Sequence, residues 1–267
     1  MRPGKFDATI LTLGFAFLYI PILILVIYSF NESKLVTVWG GFSLKWYGEM
    51  WRNDGLMSAA WVTLQVGLLS ATLGTILGTL AALTLVRYTR FKGRLLFSGM
   101  VYAPLVMPEV ITGLSLLLLF VAIGIDRGLM TVVIAHTTFT MCYVAIVVQS
   151  RLLTFDTSLE EAAQDLGCPP VKTFFKVTLP LILPGIAAGA ILAFAKSMGE
   201  FGATITFVSN IPGETQTLAS AIYTYTQVPG GDLAAMRLTV ISIVLSLGAL
   251  IASEFLSRRI AARVGAT

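Results

Sequence analysis

The stretch SLEEAAQDLGCPPVKTFFKVTLPLILPG, Ser158 to Gly185, interrupts a chain that otherwise reads as lipid-soluble helix. It carries acids, then lysines, with a glycine and paired prolines between them. Ser158 and Glu161 have the S-x-x-E spacing of a capping box, which starts a helix. Leu159, Ala162, Ala163 and Leu166 then recur at i, i+3, i+4 and i+7 and line one face. Glu160, Glu161, Gln164 and Asp165 take the other. Gly167 supplies a C-terminal stop. Pro169 and Pro170 cannot continue that helix but suit the first turn of another. In the second helix Val171, Phe174, Phe175 and Thr178 form a face with Lys172 and Lys176 opposite. Pro180 and Pro184 punctuate the return to apolar sequence. The pattern predicts two short amphipathic helices joined at a tight Gly-Pro turn, neither long enough to cross a bilayer. Such a helix fits a groove on a partner protein or rests on lipid, and the residues favour neither.

The flanking sequence places this segment. Of 267 residues, 56% are hydrophobic and 12% charged, and the mean hydropathy is +0.86. A soluble domain carries about 25% charged residues, so this chain has too little polar surface to cover a soluble core. Apolar runs near 8–30, 58–86, 95–123, 130–151, 181–200 and 234–257 each reach the roughly 20 residues that a crossing helix needs. The chain therefore reads as an all-α membrane protein of about six transmembrane helices. The strict alternation of a membrane β-barrel is absent. The first run, Ala8 to Phe30, exceeds the about 7–15 apolar residues of a signal peptide and reads as a retained span kinked at Pro21. Residues 1–267 form one domain, with the polar loop at 157–180 inside it.

Lysine and arginine set the orientation. With the N-terminus inside, one side holds Arg2, Lys5, Arg87, Arg90, Lys92, Arg94, Arg151, Lys172, Lys176, Arg258, Arg259 and Arg263. The other holds Lys34, Lys45, Arg52, Arg127 and Arg237. The ratio of 12 to 5 predicts that both termini are cytoplasmic, and with them the segment quoted above. RYTRFKGR, Arg87 to Arg94, is the strongest anchor, with four basic residues and no acid.

Several residues stand out within the apolar runs. Ionisable groups there are costly and are functional candidates: Glu109, Lys196 and Glu200. Glu109 lies in APLVMPEVITG, where Pro and Gly allow a broken helix of the kind that marks transport paths. Lys196 and Glu200 stand at i and i+4, so a simple structural pair explains them as well as a path does. A cationic cargo would suit the two carboxylates and an anionic one the lysine. His136, the single histidine, has no clustered ligands and reads as a packing or hydrogen-bonding residue. Cys142 and Cys168 imply neither a disulfide nor a metal site. Gly74 and Gly78 form a G-x-x-x-G that fits internal packing or a subunit interface. Trp39, Trp46, Tyr47 and Trp51 read as an interfacial belt more than a docking surface. No G-x-x-x-x-G-K-[ST] occurs, and nothing pairs a nucleophile with a base, so the chain reads as neither an ATPase nor another enzyme.

Glu161-Ala162-Ala163, three residues, Gly167, nine residues, then Val177-x-Leu179-Pro180 resembles the EAA loop of ATP-binding-cassette importer permeases, with valine where isoleucine is usual. The resemblance extends over nearly the whole chain. IYSFNESKLVTVWGGFSLKWYGEM and APLVMPEVITGLSLLLLFVA look like the putrescine and spermidine permeases. LAFAKSMGEFGATITFVSNIPGETQTLASAIYTYTQVPGG looks like the molybdate permeases and their oxyanion-transporting relatives. The resemblance implies a type I importer permease fold in a bacterial inner membrane. It implies that Glu161, Ala162, Ala163, Gly167, Leu179 and Pro180 belong to a coupling loop docked on a cytosolic ATPase. It also implies two such ATPase subunits, which would bind the ATP and magnesium, a second permease copy or paralogue, and an extracytoplasmic binding protein. Polyamine is the expected cargo, since that likeness covers more of the chain; molybdate or a related oxyanion is the alternative, and a secondary transporter a remote one. Besides lipid no other partner is expected, and nucleic acid is not among them.

Overall fold

The computed structural model describes residues 4–35, 38–208 and 210–264. Arg2 of the charge count lies outside the described residues, as do Val36, Thr37 and Ser209 of the quoted stretches and the side chains of Lys5 and Arg263. The elements are α1 (Lys5–Ser29), α2 (Lys45–Trp51), α3 (Asp54–Arg87), α4 (Arg94–Val106), α5 (Glu109–Ala122) and α6 (Leu129–Leu153). They continue with α7 (Ser158–Asp165), α8 (Pro170–Thr173), a π-turn (Phe174–Thr178), α9 (Leu179–Met198), α10 (Gly202–Phe207), α11 (Leu218–Thr226) and α12 (Asp232–Val264).

Among the described residues, five stretches are continuous helices long and apolar enough to cross a bilayer: Phe6–Ser29, Asp54–Arg87, Leu129–Leu153, Pro170–Met198 and Asp232–Phe255. The expected span at 95–123 is instead two shorter helices, α4 and α5, broken at Met107–Pro108. Met107 has φ −75° and ψ 139°, because the residue before proline is driven out of the helical region. The six expected spans are thus five unbroken ones and one broken pair.

The second short helix expected at 171–178 is also not separate. It runs on through Pro180 and Pro184 into the membrane as one rod, Pro170–Met198. Pro180 lacks an N–H, and its ring crowds the carbonyl four residues back. The π-turn Phe174–Thr178 widens the backbone just ahead of it, which accommodates the proline without a break. This winding rotates the expected face. Val171 and Phe175 are exposed, while Thr173 and Thr178 are buried.

The bundle core is α3 against α6 and α9. An added Cβ at Gly74 would lie 2.4 Å from Thr140 Oγ1, and at Gly78 2.5 Å from the Met141 carbonyl. The G-x-x-x-G therefore seats α3 on α6 within this chain. Around that contact Ala82, Val144, Val148, Ile182 and Ala193 form one apolar cluster, and Val66, Val132, Phe139 and Phe207 another. Several hydroxyls inside the spans turn back on their own helices, as Thr63 to Ala59 O and Thr137 to Val133 O. This satisfies them where no water is present.

At the opposite end of the bundle from the polar segment, Arg237 fastens the loop after α1. It donates to the Ser29 and Asn31 carbonyls, each at 3.4 Å, and its guanidinium lies 4.8 Å from the centre of the Trp46 ring. The Tyr47 hydroxyl donates to Ser29 Oγ at 2.6 Å. Trp46 and Tyr47 are therefore loop fasteners, whereas Trp39 and Trp51 remain exposed, as a belt would have them.

Candidate functional site

The polar segment folds as a short helix with a sharp stop. Ser158 does not cap it. Asp156 accepts from the Ser158 N–H at 3.0 Å, and Ser158 lies inside α7 with no side-chain cap at Thr157. Hydrogen bonds from the Ser158 hydroxyl and N–H hold the Asp156 carboxyl below its usual range. At the other end the Gly167 N–H donates to Gln164 O at 2.8 Å and the Cys168 N–H to Ala163 O at 3.0 Å. This is a Schellman stop, and Gly167 has the φ of +85° that it requires.

The face of α7 turned away from the bundle carries Leu159, Ala162 and Leu166, the last 90% exposed, together with Glu161. Ala163, Leu179 and Pro180 are half-buried. The inward side belongs to Glu160, which the sequence reading passed over. Its carboxylate lies 2.5 Å from the Arg87 guanidinium and accepts the Thr178 hydroxyl. No local spacing links residues 73 positions apart, so no signal in the sequence could have found this contact.

The three ionisable residues singled out within the apolar runs, Glu109, Lys196 and Glu200, come together. Lys196 Nζ lies 2.5 Å from Glu109 Oε1 and 2.6 Å from Glu200 Oε2. The i, i+4 pair is real, and a third member from another helix completes it. Glu109 opens α5 and Lys196 sits in the last turn of α9, so each charge meets the helix end whose dipole favours it. The second Glu200 oxygen accepts the Ala203 N–H at 3.1 Å, at the start of α10. Gly202 lets α10 begin here, since a Cβ would lie 2.9 Å from Glu109 Oε2. Exposure is graded. The Glu200 side chain is 1% exposed, Lys196 24% and Glu109 46%. With all three ionised, two carboxylates and one ammonium leave one net negative charge.

A network of hydroxyls and one imidazole backs the cluster. His136 Nδ1 lies 2.8 Å from Ser197 Oγ and Nε2 2.8 Å from Thr204 Oγ1, and Ser197 Oγ lies 2.8 Å from Ser70 Oγ. His136 is thus the hydrogen-bonding residue expected of it. Ser70, Ser197 and Thr204 were not singled out, because isolated hydroxyls in apolar runs carry no periodic signal.

Spanning helices, one of them broken beside buried charge, and a short exposed helix at one end define a membrane transport subunit. The chain belongs to the binding-protein-dependent transport system inner membrane components, whose family pattern matches residues 74–262. It is 55% identical over 212 residues to the putrescine transport system permease protein PotI of Escherichia coli K12, covering 77% of this chain and 75% of that protein. It is 41% identical over 230 residues to the molybdenum transport system permease protein ModB of the same strain, covering 80% and 98%. Its fold matches a chain in the crystal structure of a bacterial alginate ABC transporter bound to its periplasmic protein, with TM-score 0.76 over 96% of this chain and 94% of that one. Sequence identity there is 20%, so the match concerns fold alone. The chain is an importer permease of the type I fold, a multi-pass protein of the inner membrane.

Proposed function

We propose that this permease lines the translocation path of an ATP-driven polyamine importer, with a diamine of the putrescine type as cargo. The observation that carries the reading is the pairing of one ammonium, Lys196, with two carboxyl groups, Glu109 and Glu200, at the junction of α5, α9 and α10. Its ammonium is already matched by two carboxylates, so the unmatched charge attracts a cation. The 55% identity to a putrescine permease points the same way. The 41% identity to ModB supports oxyanion transport as a second reading, with Lys196 as its anion contact.

The chain itself is non-catalytic in this reading. Two cytosolic ATPase subunits bind ATP and magnesium, a second permease copy or paralogue completes the path, and an extracytoplasmic binding protein delivers cargo. Both termini face the cytoplasm. The exposed side of α7, with Glu161, Ala162 and the turn at Gly167, seats in an ATPase groove, with Ala163, Leu179 and Pro180 in the same coupling loop. ATP-driven closure of the ATPases moves α7, and the spans rock between outward-open and inward-open states.

Uptake by the complete transporter in liposomes tests this, with labelled putrescine and labelled molybdate offered separately. Wild type should accumulate putrescine only when ATP is enclosed. Glu109→Gln should raise the half-saturating putrescine concentration about tenfold, the effect of about 1.4 kcal/mol of lost binding. Molybdate uptake without putrescine uptake, together with its loss in Lys196→Leu, would overturn the polyamine reading in favour of the oxyanion one.

A further inference from the structure

We propose that Arg87, Glu160 and Thr178 form a strut that fixes α7 to the ends of two spans, so that displacement of α7 is delivered to both. This rests on the reading that α7 receives the ATPase. Helix α7 has only eight residues and none of them is buried. So short a helix is marginal alone, and burial of an apolar face does not hold it to the bundle. A directional contact must do so.

Glu160 makes that contact with a side chain only 16% exposed, against an Arg87 side chain 30% exposed. Glu160 stands in the first turn of α7 and Arg87 in the last turn of α3. Both charges therefore sit where the helix dipoles favour them. Arg87 is further fixed by the Phe155 ring, 5.6 Å from its guanidinium, and Phe155 packs on the α3, α6 and α9 cluster. The buried Thr178 hydroxyl donates to the same carboxylate from the π-turn at the root of the Pro170–Met198 rod. One carboxylate thus joins α7 to α3 and to α9. Its bonds are charge-assisted, the kind that hold geometry most firmly. The exposed face of α7 stays free, so the strut and the docking surface lie on opposite sides of one helix.

The prediction separates coupling from docking. In the full transporter, Glu160→Gln and Arg87→Gln should each retain ATPase subunits through purification and retain ATP hydrolysis. Substrate imported per ATP should fall about tenfold, the order at which such contacts modulate coupling. Arg87→Lys, which keeps the charge, should recover most of the loss. The double variant should be no worse than either single one, because the residues act as a unit. Additive losses, or an unchanged ratio of import to hydrolysis, would overturn the strut, as would loss of the ATPase from Glu160→Gln. Leu166→Glu, on the exposed face, tests the docking reading separately. It should release the ATPase, and retention would sink that reading whatever the Glu160 variants do.

Discussion

Gly167 and Ser158 mark the two ends of α7, and they separate what a residue tells by itself from what it does not. Gly167 adopts a φ of +85°, and an added Cβ there would meet nothing within 4 Å. The cost of Gly167→Ala is therefore conformational, about 1 kcal/mol, and steric crowding adds nothing. We expect Gly167→Ala to lower the transport rate severalfold and Gly167→Asn to lower it less, because asparagine tolerates the left-handed region. Equal uptake by all three proteins would show that the turn is not required. Gly167 was legible because a helix stop is a local property. Ser158 was misjudged because Asp156, two residues earlier, accepts from the Ser158 N–H, the donor that a capping box gives to Glu161. Aspartate and glutamate compete for that donor, and spacing alone does not rank them. Lys196 shows a further limit. Its partner at i+4 was visible, but Glu109 approaches from 87 positions away.

Helices α3 and α6 meet through Gly74 and Gly78, and that contact governs the bundle. At Gly78 a Cβ would lie 2.7 Å from Val144 Cβ as well as 2.5 Å from backbone oxygen. Neither neighbour is the end of a flexible side chain. Gly78→Val should lower stability by about 3 kcal/mol, read as a fall in the midpoint of thermal unfolding in detergent. Gly14→Val serves as the control, since a Cβ there meets nothing within 4 Å, and its midpoint should stay near wild type. A wild-type midpoint for Gly78→Val would remove the close packing. The glycine spacing was legible in the sequence; which helix it served was not, since a partner helix leaves no mark on the helix that receives it. Pro and Gly allowed a break at Pro108, yet the run at 95–123 still read as one span; proline imposes the break locally. The rod through Pro180 and Pro184 was not legible, because proline reads as a helix breaker by residue type and the π-turn that accommodates it does not show in residue type.

At the scale of the whole molecule, α1 stands apart from the bundle. Its spanning window has no buried residue, and it meets α12. A helix apolar all round needs lipid or another chain along its length. Topology can be tested at Lys92, exposed in the loop between α3 and α4. In a Cys168→Ser background, Lys92→Cys should react with a membrane-impermeant maleimide only after the cytoplasmic side is opened. Buried Cys142 leaves the background silent. Reaction from outside would invert the orientation and place α7 away from any cytosolic ATPase. By itself the amino-acid sequence determined the helical class, the membrane, the stop at Gly167 and the EAA spacing. Each follows from hydropathy or backbone sterics acting over a few residues. Only the tertiary structure decided that Glu109 joins Lys196 and Glu200, that Glu160 binds Arg87, and that Gly74 and Gly78 pack inside one chain. Those contacts depend on where helices cross, and a crossing is set by the packing of the whole bundle.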